Sequence, residues 1–327
     1  MIIVRAVAFA LALCILTTPL RADAQQGKQV RIGYLSGIRR PDTQAAVDAF
    51  RGKLRELGYV EGQNLRIEHR YADGNFGKLS ELAAELVGLK VDVILAYGTP
   101  GARAAKDATR TIPIVFAVVS DPIAARLVTS LTRHEGNVTG VTPNNPELSA
   151  KRVSLLKEAV PGAARIGVLA NPSFVATPSM VAETKSAARS LGVELQIVEV
   201  REPGELAAAF TTLKRANASG VIVLADPMFI GQRRSIADLA LTNRIPAIYH
   251  LRDFVRAGGL VSYGAEYEEM FRQSAVMVDK IVKGAKPSEL PVEQPWRYDL
   301  AINLKTAKAL GLTIPPSLLL RADEVIQ

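Results

Sequence analysis

Short apolar runs alternate with longer amphipathic segments along most of the chain. The runs are almost wholly apolar rather than alternating, which is typical of parallel strands covered by helices on both faces. They predict a first series of strands at Val30–Leu35, Leu65–Glu68, Val91–Ala96 and Ile114–Val119. A second series is predicted at Ile166–Ala170, Glu194–Val200, Val221–Ala225 and Ala247–Tyr249.

The segments between the runs carry the spacing of one helix face. In the first of them the apolar positions lie three or four residues apart, at Val47, Phe50, Leu54 and Leu57, and Gly58 follows as a helix stop. Further helices are predicted near 79–87 and over Pro178–Leu191, Glu205–Asn217 and Met270–Lys283. Strands that alternate with helices in this way predict a doubly wound parallel sheet.

The pattern restarts in the middle of the chain. "RIGYLSG" at 31–37 is echoed by "RIGVLAN" at 165–171, and "NVTGVTPNN" at 137–145 reads as a strand that leaves one series for the other. We therefore predict an α/β protein with two Rossmann-like lobes, whose parallel sheets are joined by a multi-strand hinge. The predicted first lobe comprises residues 28–141 and 263–290, the second comprises 142–262, and 291–327 is a C-terminal segment that packs across the lobes or the hinge.

The first 24 residues are predicted to be a cleavable signal peptide. Arg5 precedes the apolar stretch Ala6–Leu16, which is too short to span a bilayer, and Ala22-Asp23-Ala24 offers small residues two apart. A lipid anchor at Cys14 is disfavoured because bulky Leu13 precedes it. We expect cleavage after Ala24 and a soluble periplasmic protein.

Composition narrows the function further. The net charge is +8, yet Lys and Arg are interspersed with Asp and Glu and form no dense basic run. This favours a solvated basic surface over a nucleic-acid-binding one. The chain has one cysteine, which falls in the predicted signal peptide, so the mature protein is expected to have neither a disulfide nor thiol chemistry.

Candidate binding residues follow the ends of predicted strands. In parallel sheets, ligands collect beyond the carboxyl ends of the strands, where loops and helix N-termini converge. The first-lobe candidates for substrate binding are Ser36, Gly37, Tyr97, Gly98, Thr99, Pro100, Ser120, Asp121 and Pro122. The others are Asn171, Pro172, Ser173, Asp226, Tyr249 and Tyr263.

The stretch "YGTPG" at 97–101 is the most informative of these turns. Gly98 permits a tight turn, Thr99 is a good N-cap, and Pro100 suits the first helical position. The free N–H groups of such a helix end favour a carboxylate or another anion. Helix capping without any ligand explains the same residue types.

Two aspartates and several aromatic residues complete the candidate site. Asp121-Pro122 and Asp226-Pro227 occupy corresponding turns in the two series, where each carboxylate could meet a ligand ammonium or simply cap a helix. Aromatic side chains that could stack on a ligand are Tyr97, Phe174, Tyr249 and Tyr263.

Catalytic and metal-binding patterns are missing from the sequence. It contains no Gly-x-Ser-x-Gly, no phosphate-binding loop and no Gly-x-Gly-x-x-Gly. His69, His134 and His250 have no spacing that suggests a metal site. We expect no catalysis, no metal and no cofactor.

Five stretches resemble the ABC-transporter substrate-binding protein family, from about Val30 to Ile326. They are "GYVEGQNLRIEHRYADG", "AAELVGLKVDVILAYGTP", "TIPIVFAVVSDPIAARLVTSL", "GNVTGV" and "PVEQPWRYDLAINLKTAKALGLTIPPSLLLRADEVI". The resemblance implies a type I periplasmic-binding-protein fold with a ligand held between two lobes. It also implies delivery to a membrane permease driven by a cytoplasmic ATPase, and related receptors bind amino acids, including aromatic ones.

The chain departs from the family pattern in two places. Arg126 stands where glycine is usual, and His134-Glu135 replaces the usual Pro-Gly. The turns that match by position are Ser36-Gly37, Gly98-Thr99-Pro100, Ser120-Asp121-Pro122, Asn171-Pro172 and Tyr263-Gly264.

The sequence therefore predicts an exported, monomeric receptor that captures a small carboxylate-bearing, amino-acid-like solute for an ABC permease. The main alternative is a two-lobed sensor or regulator with the same core, which would need a helix-turn-helix before Val30, where the signal segment lies. An α/β enzyme is a further alternative that lacks a catalytic constellation.

Overall fold

The computed structural model describes residues 29–327 as two α/β lobes. The predicted signal peptide lies outside the described residues. Strands and helices alternate through most of the described range, and each lobe has its own sheet. No helix within residues 29–327 is both long and apolar enough to cross a membrane.

The first lobe contains five parallel strands in the order β2-β1-β3-β4-β5. The strands are β1 (Val30–Ser36), β2 (Leu65–Tyr71), β3 (Val93–Tyr97), β4 (Ile114–Ala117) and β5 (Val138–Val141). The helices between them are α1 (Arg40–Glu56), α2 (Leu79–Gly88) and α3 (Gly98–Ala108). All four strands predicted in this part of the sequence are confirmed, and β5 is the predicted junction strand.

The second lobe contains seven strands in the order β12-β11-β10-β9-β8-β6-β7. The strands are β6 (Arg165–Ala170), β7 (Glu194–Glu199), β8 (Gly220–Val223), β9 (Ala247–Tyr249), β10 (Val261–Ala265), β11 (Tyr298–Asn303) and β12 (Glu324–Ile326). Strand β11 runs antiparallel to β10, and β12 runs parallel to β11. The closing segment of the chain therefore adds two strands to one edge of this sheet.

The helices of the second half of the chain follow the same alternation. They are α4 (Asn145–Ala159), α5 (Thr177–Ser190), α6 (Leu206–Arg215), α7 (Pro227–Gly231), α8 (Arg233–Thr242), α9 (Arg252–Arg256), α10 (Tyr267–Val282), α11 (Leu304–Ala309) and α12 (Pro316–Leu319). The helices predicted over Pro178–Leu191, Glu205–Asn217 and Met270–Lys283 match α5, α6 and α10 to within three residues at each end.

Helix α1 shows why the apolar spacing predicts these elements correctly. Its buried residues include Val47, Phe50 and Leu54, which face α10 and the first sheet. Gly58 follows the helix with a φ of 92° and donates its N–H to the carbonyl of Arg55. The left-handed conformation costs glycine little, so the predicted helix stop is confirmed.

The chain crosses between the lobes at three places in the described residues. The first crossing follows β5, the second joins β10 to α10, and the third brings the segment after residue 290 back to the second sheet. The third crossing is hydrogen-bonded to the first, because Glu293 receives the N–H of Thr142 and donates its own N–H to the carbonyl of Gly140, each at 2.9 Å. The two crossings therefore lie side by side.

Both departures from the family pattern have a structural counterpart in the first lobe. Arg126 has a φ of 54°, in the left-handed region where glycine is favoured, and its carbonyl accepts a hydrogen bond from Lys106 Nζ at 2.6 Å. The position therefore keeps the backbone conformation that suits glycine. His134 is buried, and its Nε2 lies 3.0 Å from the carbonyl oxygen of Leu290.

Gly264 offers a test of the packing between β10 and the turn that follows β9. A Cβ atom at this position would lie 1.9 Å from the carbonyl oxygen of His250, so an alanine forces backbone to move. We expect Gly264→Ala to lower the free energy of unfolding by roughly 1–3 kcal/mol, measured by chemical denaturation. Gly52→Ala in α1, where no atom lies within 4 Å, is the control and should stabilise the protein slightly. Equal stability of the two variants would contradict this account.

Candidate functional site

The carboxyl ends of strands from both lobes meet around one enclosed cavity. It has a volume of about 20 Å³ and receives residues from both lobes. Its lining residues are Ile38, Tyr97, Gly98, Thr99, Val118, Ser120, Phe174, Ala225, Asp226, Pro227, Ile230, His250 and Tyr267. We call this space the interlobe cavity.

A larger cleft adjoins the interlobe cavity and shares Phe174, Asp226 and Pro227 with it. Its volume is about 460 Å³, within the range of small-molecule sites. The remaining lining residues are Gly74, Phe76, Pro100, Asn171, Ser173, Arg201, Glu202, Pro203 and Met228. Together the two spaces contain eight of the predicted site residues, namely Tyr97, Gly98, Thr99, Pro100, Ser120, Asn171, Ser173 and Asp226.

The first turn of α3 forms one wall of the interlobe cavity. Gly98 has a φ of 71°, which confirms the predicted tight turn. The predicted N-cap role of Thr99 is wrong, because the helix already begins at Gly98 and no side chain caps it. Thr99 Oγ1 instead accepts the N–H of Ser120 at 3.4 Å, which joins this turn to the end of β4. The uncapped helix end favours negative charge in the cavity.

Asp226 is the buried carboxylate of the cavity, with only 3% of its surface exposed. Its Oδ1 accepts the N–H groups of Met228 at 2.8 Å and Phe229 at 3.1 Å, so the residue caps α7. Its Oδ2 accepts Asn171 Nδ2 at 3.1 Å. Burial nevertheless raises the pKa of Asp226 to about 6, because these hydrogen bonds only partly replace water around the charge.

Asp121 has a different position from Asp226. Its Oδ2 accepts Ser179 Oγ from α5 of the second lobe at 2.7 Å, and its Oδ1 accepts the N–H of Ala124 at 2.9 Å. Asp121 does not line either cavity, so the structure does not place the two aspartates around one ligand position. Asp121 is instead one of the contacts that hold the lobes together.

A second interlobe contact is the ion pair between Asp42 and Arg233. The carboxylate of Asp42, on α1, lies 2.8 Å from Arg233 Nη2 on α8. The same carboxylate pairs with Arg39 at 3.1 Å, and its side chain is only 7% exposed. The pair lies beside a smaller cleft that is lined by Gly37 and Asp42 among others.

Two predicted tyrosines lie away from the cavities. Tyr249 is fully buried and stacks on Phe254 of α9 with ring centroids 4.7 Å apart. Tyr263 is half-buried beside Tyr298, at a centroid distance of 6.1 Å. Tyr249 belongs to one hydrophobic core cluster with Phe254, whereas Tyr263 packs against another that includes Leu300, and neither side chain lines the interlobe cavity or the adjoining cleft.

The remaining predicted residues shape turns. Ser36 is fully buried, and its Oγ accepts the N–H of Ile38 at 3.1 Å and donates to the carbonyl of the same residue at 3.0 Å. Pro122 accepts the backbone N–H of Leu127 in the turn after β4. Pro172 follows Asn171 at the end of β6 and does not line either cavity.

Several side chains that line the site were not proposed as ligand contacts by the sequence analysis, and Tyr267, Phe76 and His250 are among them. Tyr267 begins α10 directly after the second crossing, and Phe76 lies in the adjoining cleft. His250 is 2% exposed, and neither ring nitrogen has a hydrogen-bond partner in residues 29–327. Burial holds the pKa of His250 well below its usual range, and the nearby charge of Arg152 lowers it further, so the ring is neutral.

No group of three or more His, Cys, Asp or Glu side chains in the described part of the chain could hold a metal ion. His69 lies on β2, where burial lowers its pKa to about 4 and Arg51 Nη2 approaches its Nε2 at 3.0 Å. His134 and His250 lie in separate places in the fold. The polar groups at the interlobe cavity suit the binding of an organic solute.

Comparison with known proteins agrees with this geometry. The family model of the ABC transporter substrate binding protein matches residues 31–326. A tyrosine-binding protein from Clostridioides difficile (strain R20291) is 29% identical over 286 residues, which cover 87% of this chain and 82% of the relative.

Two solved structures align with nearly the whole described chain. One is an ABC domain in complex with L-Trp from Streptococcus pneumonia, with 28% identity and a TM-score of 0.86, over 91% of this chain and 100% of that one. The other is a ligand-free, open substrate-binding protein with adhesive properties from Clostridium difficile. It has 28% identity and a TM-score of 0.71, over 91% of this chain and 99% of that one.

The chain belongs to the ABC transporter substrate-binding protein family. Its two lobes have the type I periplasmic-binding-protein fold, shared with more distant solved structures. The family resemblance and the fold class predicted from the sequence are both confirmed.

The Asp42–Arg233 pair predicts how readily the lobes separate. We expect Asp42→Asn to weaken this contact by about 1 kcal/mol or less, which shifts the ratio of closed to open forms by up to about five-fold. Small-angle X-ray scattering should show a larger mean radius of gyration for the variant. Glu56→Gln is the control, because it breaks an exposed pair with Lys53 on the same helix but within one lobe. An equal change in both variants would contradict the interlobe role.

Proposed function

We propose that this protein is an exported receptor of an ABC importer that binds a small, amino-acid-like carboxylate between its lobes. The observation that carries the proposal is the interlobe cavity, in which the carboxylate of Asp226 and the uncapped end of α3 come from different lobes. Two similar proteins are described as tyrosine-binding and as a complex with L-Trp. Both ligands carry an ammonium, a carboxylate and an aromatic body.

The charges of the cavity suit a zwitterion. Asp226 is the buried acceptor available to an ammonium, and Oδ2 keeps accepting capacity beyond its bond to Asn171. The N–H groups at the start of α3 suit a carboxylate, although such a helix end contributes only roughly 0.3–2 kcal/mol. Tyr97 and Tyr267 offer aromatic surface, with ring centroids 6.4 Å apart. Phe174 extends that surface into the adjoining cleft.

Binding of such a solute in the interlobe cavity requires the lobes to move. The interlobe cavity of about 20 Å³ is too small for an amino acid, whereas the adjoining cleft of about 460 Å³ is large enough. At equal identity, the structure superposes better on the L-Trp complex than on the ligand-free, open protein, with TM-scores of 0.86 and 0.71. This supports a closed arrangement of the lobes here, and hinge opening at the three crossings would admit the ligand.

The proposed receptor works outside the cytoplasm and without chemistry of its own. The signal peptide predicted from residues 1–24 would export it to the periplasm, where it would act as a monomer. Closure on a ligand would give a membrane permease a shape to recognise. The alternatives of a sensor and of an enzyme receive no specific support from the cavity.

The acid group of the ligand is directly testable. L-tyrosine or L-tryptophan should bind with a micromolar dissociation constant, roughly −8 kcal/mol, and should stabilise the protein by about 2.7 kcal/mol at a hundredfold excess over that constant. The corresponding amino-acid amides should give a much smaller rise in melting temperature. An amide that stabilises the protein as well as its acid would refute the carboxylate requirement.

If Asp226 binds the ligand ammonium, the affinity for the ligand should depend on pH. Because burial raises the pKa of Asp226 to about 6, its carboxylate is ionised at pH 7.5 but mostly protonated at pH 5. Affinity for L-tyrosine or L-tryptophan should therefore fall roughly tenfold over that range. His250 stays neutral throughout, since its pKa is lowered.

The substitution Asp226→Asn removes the negative charge but keeps the helix cap, because asparagine is also a good N-cap. The variant should fold, bind more weakly at pH 7.5 and lose the pH dependence, as measured by calorimetry at both pH values. Unchanged affinity at pH 7.5 would leave Asp226 as a helix cap only.

A further inference from the structure

Arg152 is a cation buried in the hinge region of the second lobe. It lies on α4, its residue is 0% exposed, and burial lowers its pKa to about 10, so it is charged at neutral pH. Its Nε donates to the carbonyl of Tyr263 at 2.8 Å, and its Nη2 donates to Asn145 Oδ1 at 3.3 Å. Its Nη1 has no hydrogen-bond partner in the described residues.

The charge of Arg152 is not compensated by the fold. Both of its acceptors are neutral, and no carboxylate in residues 29–327 forms an ion pair with it. A buried guanidinium without a counter-ion is costly, and proteins usually pair such a group or replace it by an apolar residue. The two hydrogen bonds alone could be made by a neutral side chain, so they do not explain the charge.

Arg152 lies directly behind the wall of the interlobe cavity. Its charge reaches both His250 and Tyr267, which line that cavity, and lowers the pKa of His250. A Cβ atom on Gly264 would lie 3.6 Å from Arg152 Nη2 and 1.9 Å from the carbonyl oxygen of His250. The missing side chain at Gly264 is what allows the guanidinium and the backbone of His250 to lie so close together.

A chain of polar contacts connects Arg152 to the end of α3. Asn145, which accepts from Arg152, donates its Nδ2 to Ser120 Oγ at 3.1 Å. Ser120 in turn donates its N–H to Thr99 at 3.4 Å. Ser120 and Thr99 both line the interlobe cavity. The uncapped helix end and the neutral imidazole therefore line one part of the cavity, and the cation lies behind them, joined to Ser120 through Asn145.

We infer that Arg152 is the counter-ion of the ligand carboxylate, and that His250 donates a hydrogen bond to the same group. The inference rests on the proposed function and adds residues that no sequence pattern identified. An incoming carboxylate would offset the charge of Arg152 from the other side of the wall and would supply one of the two missing partners of His250. Asp226 then accepts hydrogen bonds from the ligand ammonium, so the site binds both charged groups of an amino acid.

The test compares acid and amide binding in Arg152 variants. Dissociation constants of L-tyrosine, L-tryptophan and their amides are measured by calorimetry for the wild type, Arg152→Met, Arg152→Lys and Arg215→Met. We expect the wild type to prefer the acids by roughly 10- to 100-fold, a size ordinary for a charge-assisted hydrogen bond. Arg152→Met should lose that preference while its amide affinity changes less than about three-fold, and Arg152→Lys should keep part of it. Arg215→Met, at an exposed position on α6 of the same lobe, should match the wild type.

The outcomes separate this inference from the proposed function. A wild type that does not prefer the acids refutes the proposed carboxylate ligand and, with it, the role of Arg152. A wild type that prefers them and an Arg152→Met variant that keeps the full preference overturn only the role of Arg152. Arg152→Met also removes the donor to the carbonyl of Tyr263, so the melting temperature of each variant is measured to establish that it folds.

A measurement on the wild-type protein tests the same inference if the Arg152 variants do not fold. The ring nitrogen signals of His250, assigned by His250→Gln, are followed by nuclear magnetic resonance during titration with each acid and its amide. A shift with the acids only supports the assigned carboxylate position. Equal shifts with acid and amide, or none, contradict it.

Discussion

The pairing of the first and third crossings is the constraint on which the two-lobed arrangement depends. Two backbone hydrogen bonds hold Glu293 against the end of β5, at Gly140 and Thr142 and each at 2.9 Å, and Val292 donates a third to Leu131 before that strand at 2.7 Å. Because these crossings are bonded to each other, they connect the lobes along one edge, and the carboxyl ends of strands from both lobes face one cavity.

Polar groups with unused hydrogen-bonding capacity collect where the strand ends of the two lobes face each other. Asp226, His250 and Arg152 are each nearly or fully buried, and each has hydrogen-bonding capacity that the fold does not use. Such groups reduce the stability of a folded chain unless they meet a partner. Their collection around a cavity between two lobes is expected of a protein whose partner arrives from solution.

Much of the fold is readable from local pattern, because the strands are buried on both faces and the helices on one. Strands such as β1 and β3 are predicted to within two residues at each end, and helices α5, α6 and α10 to within three. Both lobes follow from repetition of one pattern. The position of the last 37 residues is not set by local pattern, since β11 depends on pairing with β10 and β12 on pairing with β11.

The site is less predictable than the fold, because a shift of one residue along a strand moves a side chain to the opposite face of the sheet. Tyr249 and His250 are neighbours, yet Tyr249 packs on Phe254 in the core whereas His250 lines the cavity. Adjacent residues at a strand end point in opposite directions, and the sequence analysis named Tyr249 rather than His250 as a candidate ligand contact. Arg152 resembles any surface arginine of an amphipathic helix, and only its tertiary packing reveals that it is buried.

The interlobe contacts have a consequence for how such a receptor changes over evolution. Asp42–Arg233 and Asp121–Ser179 join the lobes through residues that do not line the interlobe cavity. They contribute the same free energy to closure whichever solute is enclosed, so substitutions there scale the affinity for all ligands together. Substitutions in the cavity wall instead change the difference between ligands. Strength of capture and choice of solute are thus set by separate residues, and each can change without the other.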